Sequence, residues 1–182
     1  MFRKRESIEI KSVAQIAMMR QAGLVVATTL RLVAEAVRPG ISTKELDTIA
    51  HENILRMGAS PSFLGYHGFP AVICTSVNDE VVHGIPGPRI LHDGDLISVD
   101  CGAIVDGWHG DAAISVLVGD VAPEVVELSR VTEASMWAGL AQARAGGRLS
   151  DIGHAVEAVI NEAGAYGIVE EYVGHGIGTS MH

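Results

Sequence analysis

Two aspartates, Asp100 and Asp111, share the stretch VDCGAIVDGWHGD, while His83 in VNDEVVHGIP and His175 and His182 in GHGIGTSMH stand beside glycines. LISVDCGAI (Leu96 to Ile104) and WHGDAAISVLV (Trp108 to Val118) are rich in β-branched and apolar residues, and Asp106-Gly107 between them is a strong hairpin turn signal. Folding about that turn is expected to bring Asp100 and Asp111 nearly opposite each other, to within a residue of register. Aspartate is depleted in strands, and like charges across a ladder destabilise it. Two arrangements resolve the conflict: the carboxylates face water, or something positive lies between them. Oxygen donors with one or two imidazoles suit Mn, Fe, Co or Zn rather than a thiolate site. Two such ions, bridged by one aspartate, would make hydroxide available at neutral pH and polarise a carbonyl.

Each residue has a plainer reading. His83 precedes Gly84 and could finish a strand by bonding to backbone. Gly174, Gly176 and Gly178 permit close approach of backbone to a ligand, with His175 and His182 beside it, but no GK[ST] follows to make a phosphate loop. His51 and His154 lie on helices with ordinary polar neighbours. His92 and Asp93 sit in HDGD, where a turn role is the better assignment; His109 stays open.

The elements that must hold these residues follow a repeated order. Lys11 to Val37 shows helical apolar spacing and stops at Pro39-Gly40. Ser42 and Glu45 form a capping-box pair opening a second helix that closes at Gly58. VICTSV, a short strand to His83, the loop GIPGPR and the hairpin come next. Pro123 opens a third helix to about Ala145; Ser150 caps a fourth ending at Gly164; GIVEEYV reads as a strand before the glycine-rich tail. Offsetting the chain by about 106 residues, as Gly146 is from Gly40, aligns Gly40 with Gly146, Leu46 with Ile152 and Gly58 with Gly164. An internal duplication is expected. A first half of about 1–118 would be followed by a second of about 119–182 whose sheet is incomplete.

At 182 residues the chain is long enough for a real core, and 48% apolar with 19% charged residues describes a globular rather than a disordered protein. A net charge of −9 argues against a large phosphate-backbone footprint, so no direct nucleic-acid specificity is expected. The basic run Phe2-Arg3-Lys4-Arg5 reads as a solvated terminus. Cys74 and Cys101 are too few for a disulfide framework and read as buried thiols. AGLVVATTLRLVAEAV carries Arg31 and Glu35 and reads as too short and too charged to span a bilayer. A cytoplasmic location without membrane contact is expected.

Together, ASPSFLGYHGFPAVICTSVNDEVVHGIPG, GDLISVDCGAIVDGWHGDAA and GHGIGTSMH resemble the type I methionine aminopeptidases of the pita-bread metallopeptidase superfamily, in the family's order from the first helix to the last residue. The resemblance implies an α+β pita-bread (creatinase/aminopeptidase) fold with pseudo-two-fold duplication, forming one catalytic domain over 1–182. It also implies a cytosolic enzyme that removes the initiator methionine from nascent polypeptides, with the ribosome as a further partner. Two divalent ions (Co, Mn, Fe or Zn) would be held by Asp100, bridging Asp111, and His175. His83 would touch the substrate near the scissile bond, and His182 would stabilise the oxyanion. Tyr66, Phe69, Cys74 and Met181 would line an apolar pocket suited to a thioether.

Met181 stands where many relatives carry phenylalanine, and Phe63 where some carry cysteine. Two further glutamate ligands, one of them the general base, find no match among the 182 residues. The chain is therefore expected to be C-terminally truncated and inactive alone. The alternatives are a proline-directed aminopeptidase or dipeptidase of the same fold, and a non-catalytic pita-bread module that binds a partner.

Overall fold

The structure, a computed structural model, describes residues 8–182, so the basic run at Phe2 to Arg5 lies outside the described residues. Two long helices open the fold: α1 (Val13–Ala36) and α2 (Thr43–Arg56). Each begins with a capping box. Ser42 and Glu45 cap α2 as expected, and Ser12 and Gln15 do the same for α1. Reciprocal capping of this kind satisfies backbone N–H groups that the first turn leaves without partners. The strands are β1 (Ser60–Pro61), β2 (Ile73–Val77), β3 (Leu96–Val105) and β4 (Trp108–Leu117). A second helix pair follows, α3 (Pro123–Leu140) and α4 (Leu149–Ala163).

All strand pairings are antiparallel; β4 covers the whole of one edge of β3, leaving the other edge to β2 and β1 in succession. Side chains alternate along a strand, so the register sorts them into two faces. Ile73, Val77, Ile97, Val99, Cys101 and Ala103 point one way and join Val25, Val26, Leu30 and Val33 of α1 and Leu46 and Ile54 of α2 in a single core. Cys74, Asp100 and Asp111 point the other way.

Gly110 lets α1 close on this sheet, since a Cβ there would sit 2.6 Å from the Ala22 carbonyl carbon. Two buried polar links fix the helices. Asn53 Nδ2 donates to Thr29 Oγ1 at 2.8 Å, tying α2 to α1. Asp47 Oδ1 accepts from the backbone of Val72 (2.8 Å) and Ile73 (3.2 Å), tying α2 to the start of β2.

Several expectations need correction. Asp100 pairs with Ala113 and Asp111 with Gly102, so the two carboxylates are offset by two positions rather than one. Because Asp106 and Gly107 alone form the turn, both with positive φ, Val105 must face Trp108 and the register is set from there. The difference matters: an offset of one would have placed them on opposite faces.

Residues 78–83 form a turn and bend rather than a strand, and GIVEEYV forms none either; each lacks the ladder partner along its length that a strand requires. The third helix stops at Leu140, before Ala145. The fourth is entered at Arg148, whose N–H donates to Asp151 Oδ2 at 2.8 Å, so Ser150 lies inside the helix.

The segment judged too short for a bilayer is part of a 24-residue helix, long and apolar enough by composition to cross one. Its buried Ala22, Val25, Val26, Thr29, Leu30 and Val33 face α2 and the sheet, as in a core helix.

Candidate active site

The polar face of the hairpin carries the site. Asp100 and Asp111 are diagonal neighbours on β3 and β4, close enough to share a hydrogen bond. Burial, and then the charge of Asp111, push the Asp100 carboxyl up to about 7. Burial also raises Asp111, against the pull of the Asp100 hydrogen bond and of His175. Two carboxylates this close resist double ionisation, so the free pair keeps a proton to higher pH than two separate aspartates would.

His175 reaches the pair from the tail: its Nε2 lies 3.5 Å from Asp111 Oδ2. Its other nitrogen, Nδ1, lies 3.2 Å from the Gly176 carbonyl oxygen. A carbonyl can only accept, so Nδ1 donates in that contact, and Nε2 is the nitrogen presented to the carboxylate oxygen. An imidazole nitrogen and a carboxylate oxygen side by side make a mixed N/O donor pair. Among the described residues, no three His, Cys, Asp or Glu side chains converge closely enough to enclose a metal by themselves. The donor chemistry fits a hard divalent ion; the shell is open.

His83 follows Val82, both with left-handed backbone (φ 31° and 54°), an unusual conformation for a β-branched residue. The segment is held to the edge of β2 by Thr75 N–H donating to the Gly84 carbonyl at 2.8 Å. His83 acts electrostatically on Asp100 and meets the Tyr172 ring edge-on, centroids 5.3 Å apart.

Met181, Cys74 and Phe63 form a separate buried cluster, with Phe69 packed against it. Gly102 makes room for it, since a Cβ at that position would meet Phe63 Cε1 at 2.7 Å. Phe63 and Phe69 contact edge to face, centroids 6.5 Å apart. Burial, followed by the charges of Asp100 and Asp111, raises the Cys74 thiol to about 12, so it is a neutral apolar wall rather than a ligand. Tyr66 is outside this buried cluster; its hydroxyl lies 2.9 Å from His182 Nδ1. His182 in turn lies against His175, ring centroids 4.2 Å apart.

Sequence reasoning left His109 unassigned, and the structure gives it two bonds. Its Nδ1 lies 3.0 Å from Ser62 Oγ, and its backbone N–H donates to the Gly178 carbonyl at 2.8 Å. The second bond continues the β4 backbone onto the tail that bears Met181 and His182. Nothing in the local sequence around Ser62 signals this pairing, 47 residues distant. His92 and Asp93 are turn residues as expected. The His92 N–H donates to Asp95 Oδ2 at 2.8 Å, and Asp93 Oδ1 accepts from the Asp120 N–H at 2.9 Å.

The model of metallopeptidase family M24 matches residues 17–182. The chain is 49% identical over 176 residues to the methionine aminopeptidase of Clostridium acetobutylicum, covering 96% of this chain and 70% of that protein. The chain belongs to metallopeptidase family M24, among the methionine aminopeptidases. It is 48% identical over 172 residues to methionine aminopeptidase 1 of Bacillus subtilis, covering 94% of this chain and 69% of that protein. The crystal structure of the Rickettsia prowazekii methionine aminopeptidase superposes with a TM-score of 0.94 at 39% identity, covering 97% of this chain and 71% of that one. The M24 chain therefore has the pita-bread fold and spans about 70% of the length of these relatives.

Proposed function

We propose that this chain carries the active-site face of a methionine aminopeptidase, an enzyme that hydrolyses the peptide bond after an N-terminal methionine on nascent polypeptides in the cytoplasm. The observation that carries the reading is the juxtaposition of the Asp100–Asp111–His175 donors with the separate apolar cluster of Phe63, Cys74, Met181 and Phe69. Asp100, Asp111 and His175 would hold divalent cations. When bound there, such cations supply Lewis-acid polarisation of the scissile carbonyl and lower the pKa of water. Manganese, iron, cobalt and zinc all suit this donor set.

The chain's own residues bind and orient the substrate. The apolar cluster takes the methionine side chain; its sulfur-containing and aromatic walls suit a polarizable thioether. His83, on its strained turn, contacts the substrate beside the scissile bond. His182, fixed by Tyr66, offers Nε2 to the carbonyl oxygen, where negative charge develops during attack. A donor aimed at that position is stronger in the transition state than in the ground state. His109, through its backbone bond to Gly178, keeps the His182 segment in register with β4.

A peptide panel tests the substrate class: Met-Ala, Ala-Pro and Xaa-Pro peptides offered to the full-length protein under added manganese, cobalt or iron. Release of methionine from Met-Ala alone is expected, and preference for a proline peptide would overturn the assignment. The 182 residues carry three donors of the five the resemblance implies, so we expect them to release no methionine by themselves.

A further inference from the structure

We propose that Tyr66 is a positioning residue whose hydroxyl donates to His182 Nδ1 and thereby fixes the hydrogen of His182 on Nε2. The inference rests on the reading of His182 as the donor to the scissile carbonyl, and adds to it the device that sets the imidazole's tautomer. The hydroxyl lies 2.9 Å from Nδ1 across 116 residues of sequence. In a neutral imidazole one nitrogen donates and the other accepts, and the bond made by the second decides the role of the first. Were Nδ1 to carry the hydrogen, Nε2 would present a lone pair to an oxygen that is gaining negative charge. A phenolic O–H is the better donor of the two groups and an unprotonated imidazole nitrogen the better acceptor, so the bond runs from Tyr66 to His182.

The loop that carries the hydroxyl is braced by its own backbone. Residues 63–69 are bonded onto themselves: Tyr66 N–H to the Phe63 carbonyl (2.9 Å), Gly65 N–H to the Phe69 carbonyl (2.8 Å) and Phe69 N–H to the Tyr66 carbonyl (2.9 Å). His67 and Gly68 both take positive φ to close this loop. On the other side, the His182 ring is held against His175 at 4.2 Å between centroids, and its segment is anchored to β4 by His109. Bracing of both backbone segments lowers the ordering cost of forming the bond. Tyr66 therefore contributes through its oxygen, while Phe63, Cys74, Met181 and Phe69 supply the apolar pocket.

Long-range proton–nitrogen correlation spectra of the imidazole rings in the 182-residue chain, at a pH where the rings are neutral, test this directly. The expected spectrum has His182 Nδ1 as an unprotonated nitrogen displaced upfield by an accepted hydrogen bond, and Nε2 as the protonated one. Tyr66→Phe should move the Nδ1 resonance downfield and leave His51 and His154 unchanged. A protonated Nδ1 in the wild type, or an Nδ1 unmoved by Tyr66→Phe, overturns the proposal. Should the variant fail to fold, the wild-type spectrum decides: Nδ1 at the position of a free, unbonded nitrogen also overturns it. Failure of the aminopeptidase reading would show instead as absence of metal binding, with this measurement left intact.

Discussion

The two helix pairs of this chain follow the same order of elements and end in different surroundings. α1 and α2 lay their apolar faces on each other and on the sheet, and together bury Val26, Val33, Leu46 and Ile54 almost completely. α3 and α4 pack chiefly on each other; α3 buries Val131, Ser135 and Gly139. No residue of α4 is buried, Leu149 is 86% exposed and Trp137 on α3 is 59% exposed. The contrast shows that amphipathic spacing makes a helix available for packing, while stability comes from a surface that receives it.

Core truncation should break the comparison most visibly. Leu46→Ala or Ile97→Ala is expected to cost about 2–5 kcal/mol in urea unfolding, whereas Leu149→Ala on α4 should stay within about 0.5 kcal/mol. Equal losses from the two sites would show that the helix pairs are seated alike.

Removing the buried charge sharpens the comparison within the first half. Asp100→Asn should stabilise the metal-free chain near neutral pH by roughly 1–3 kcal/mol, because it deletes a carboxyl that burial and Asp111 penalise when ionised. The sign follows from the raised pKa. The wild-type site's contribution is fully present below about pH 4, the ordinary carboxylate value, and is lost as pH rises through about 7. The advantage of Asp100→Asn should therefore grow between pH 4 and 7, as read by denaturant midpoints across that range. An advantage independent of pH would contradict the assignment of the proton to this pair.

Smaller effects test the helix entries. Ser42→Ala removes the α2 cap and should cost about 1 kcal/mol. At the α4 entry Ser150→Ala should cost close to nothing, since Arg148 and Asp151 make the entry there. Thermal unfolding of the two variants side by side separates them.

Much of this was legible in the residues themselves. The Ser42/Glu45 capping box, the Asp106-Gly107 turn and the burial of Cys74 and Cys101 follow from local chemistry. The resemblance drew Cys74, Phe69 and Met181 together. What local reasoning missed depends on partners far away in sequence. GIVEEYV has strand composition but no ladder to join, and composition cannot supply one. Phe63 joins the apolar cluster because Gly102 on a distant strand makes room for its ring. The Tyr66–His182 and Ser62–His109 bonds couple segments that no window of sequence contains. Register depends on the turn: with Asp106 and Gly107 alone in the loop, Val105 faces Trp108, and Asp100 and Asp111 fall two positions apart.

The central claim is that Asp100 and Asp111, with His175, hold a cation where the free site shares a proton. Titration of the chain with manganese, followed by electron paramagnetic resonance of the free ion, tests it at pH 8 and again at pH 5.5. Binding at pH 8 that weakens at pH 5.5 and is lost in Asp111→Asn is predicted; no uptake by the wild type, or uptake unchanged in Asp111→Asn, would contradict it.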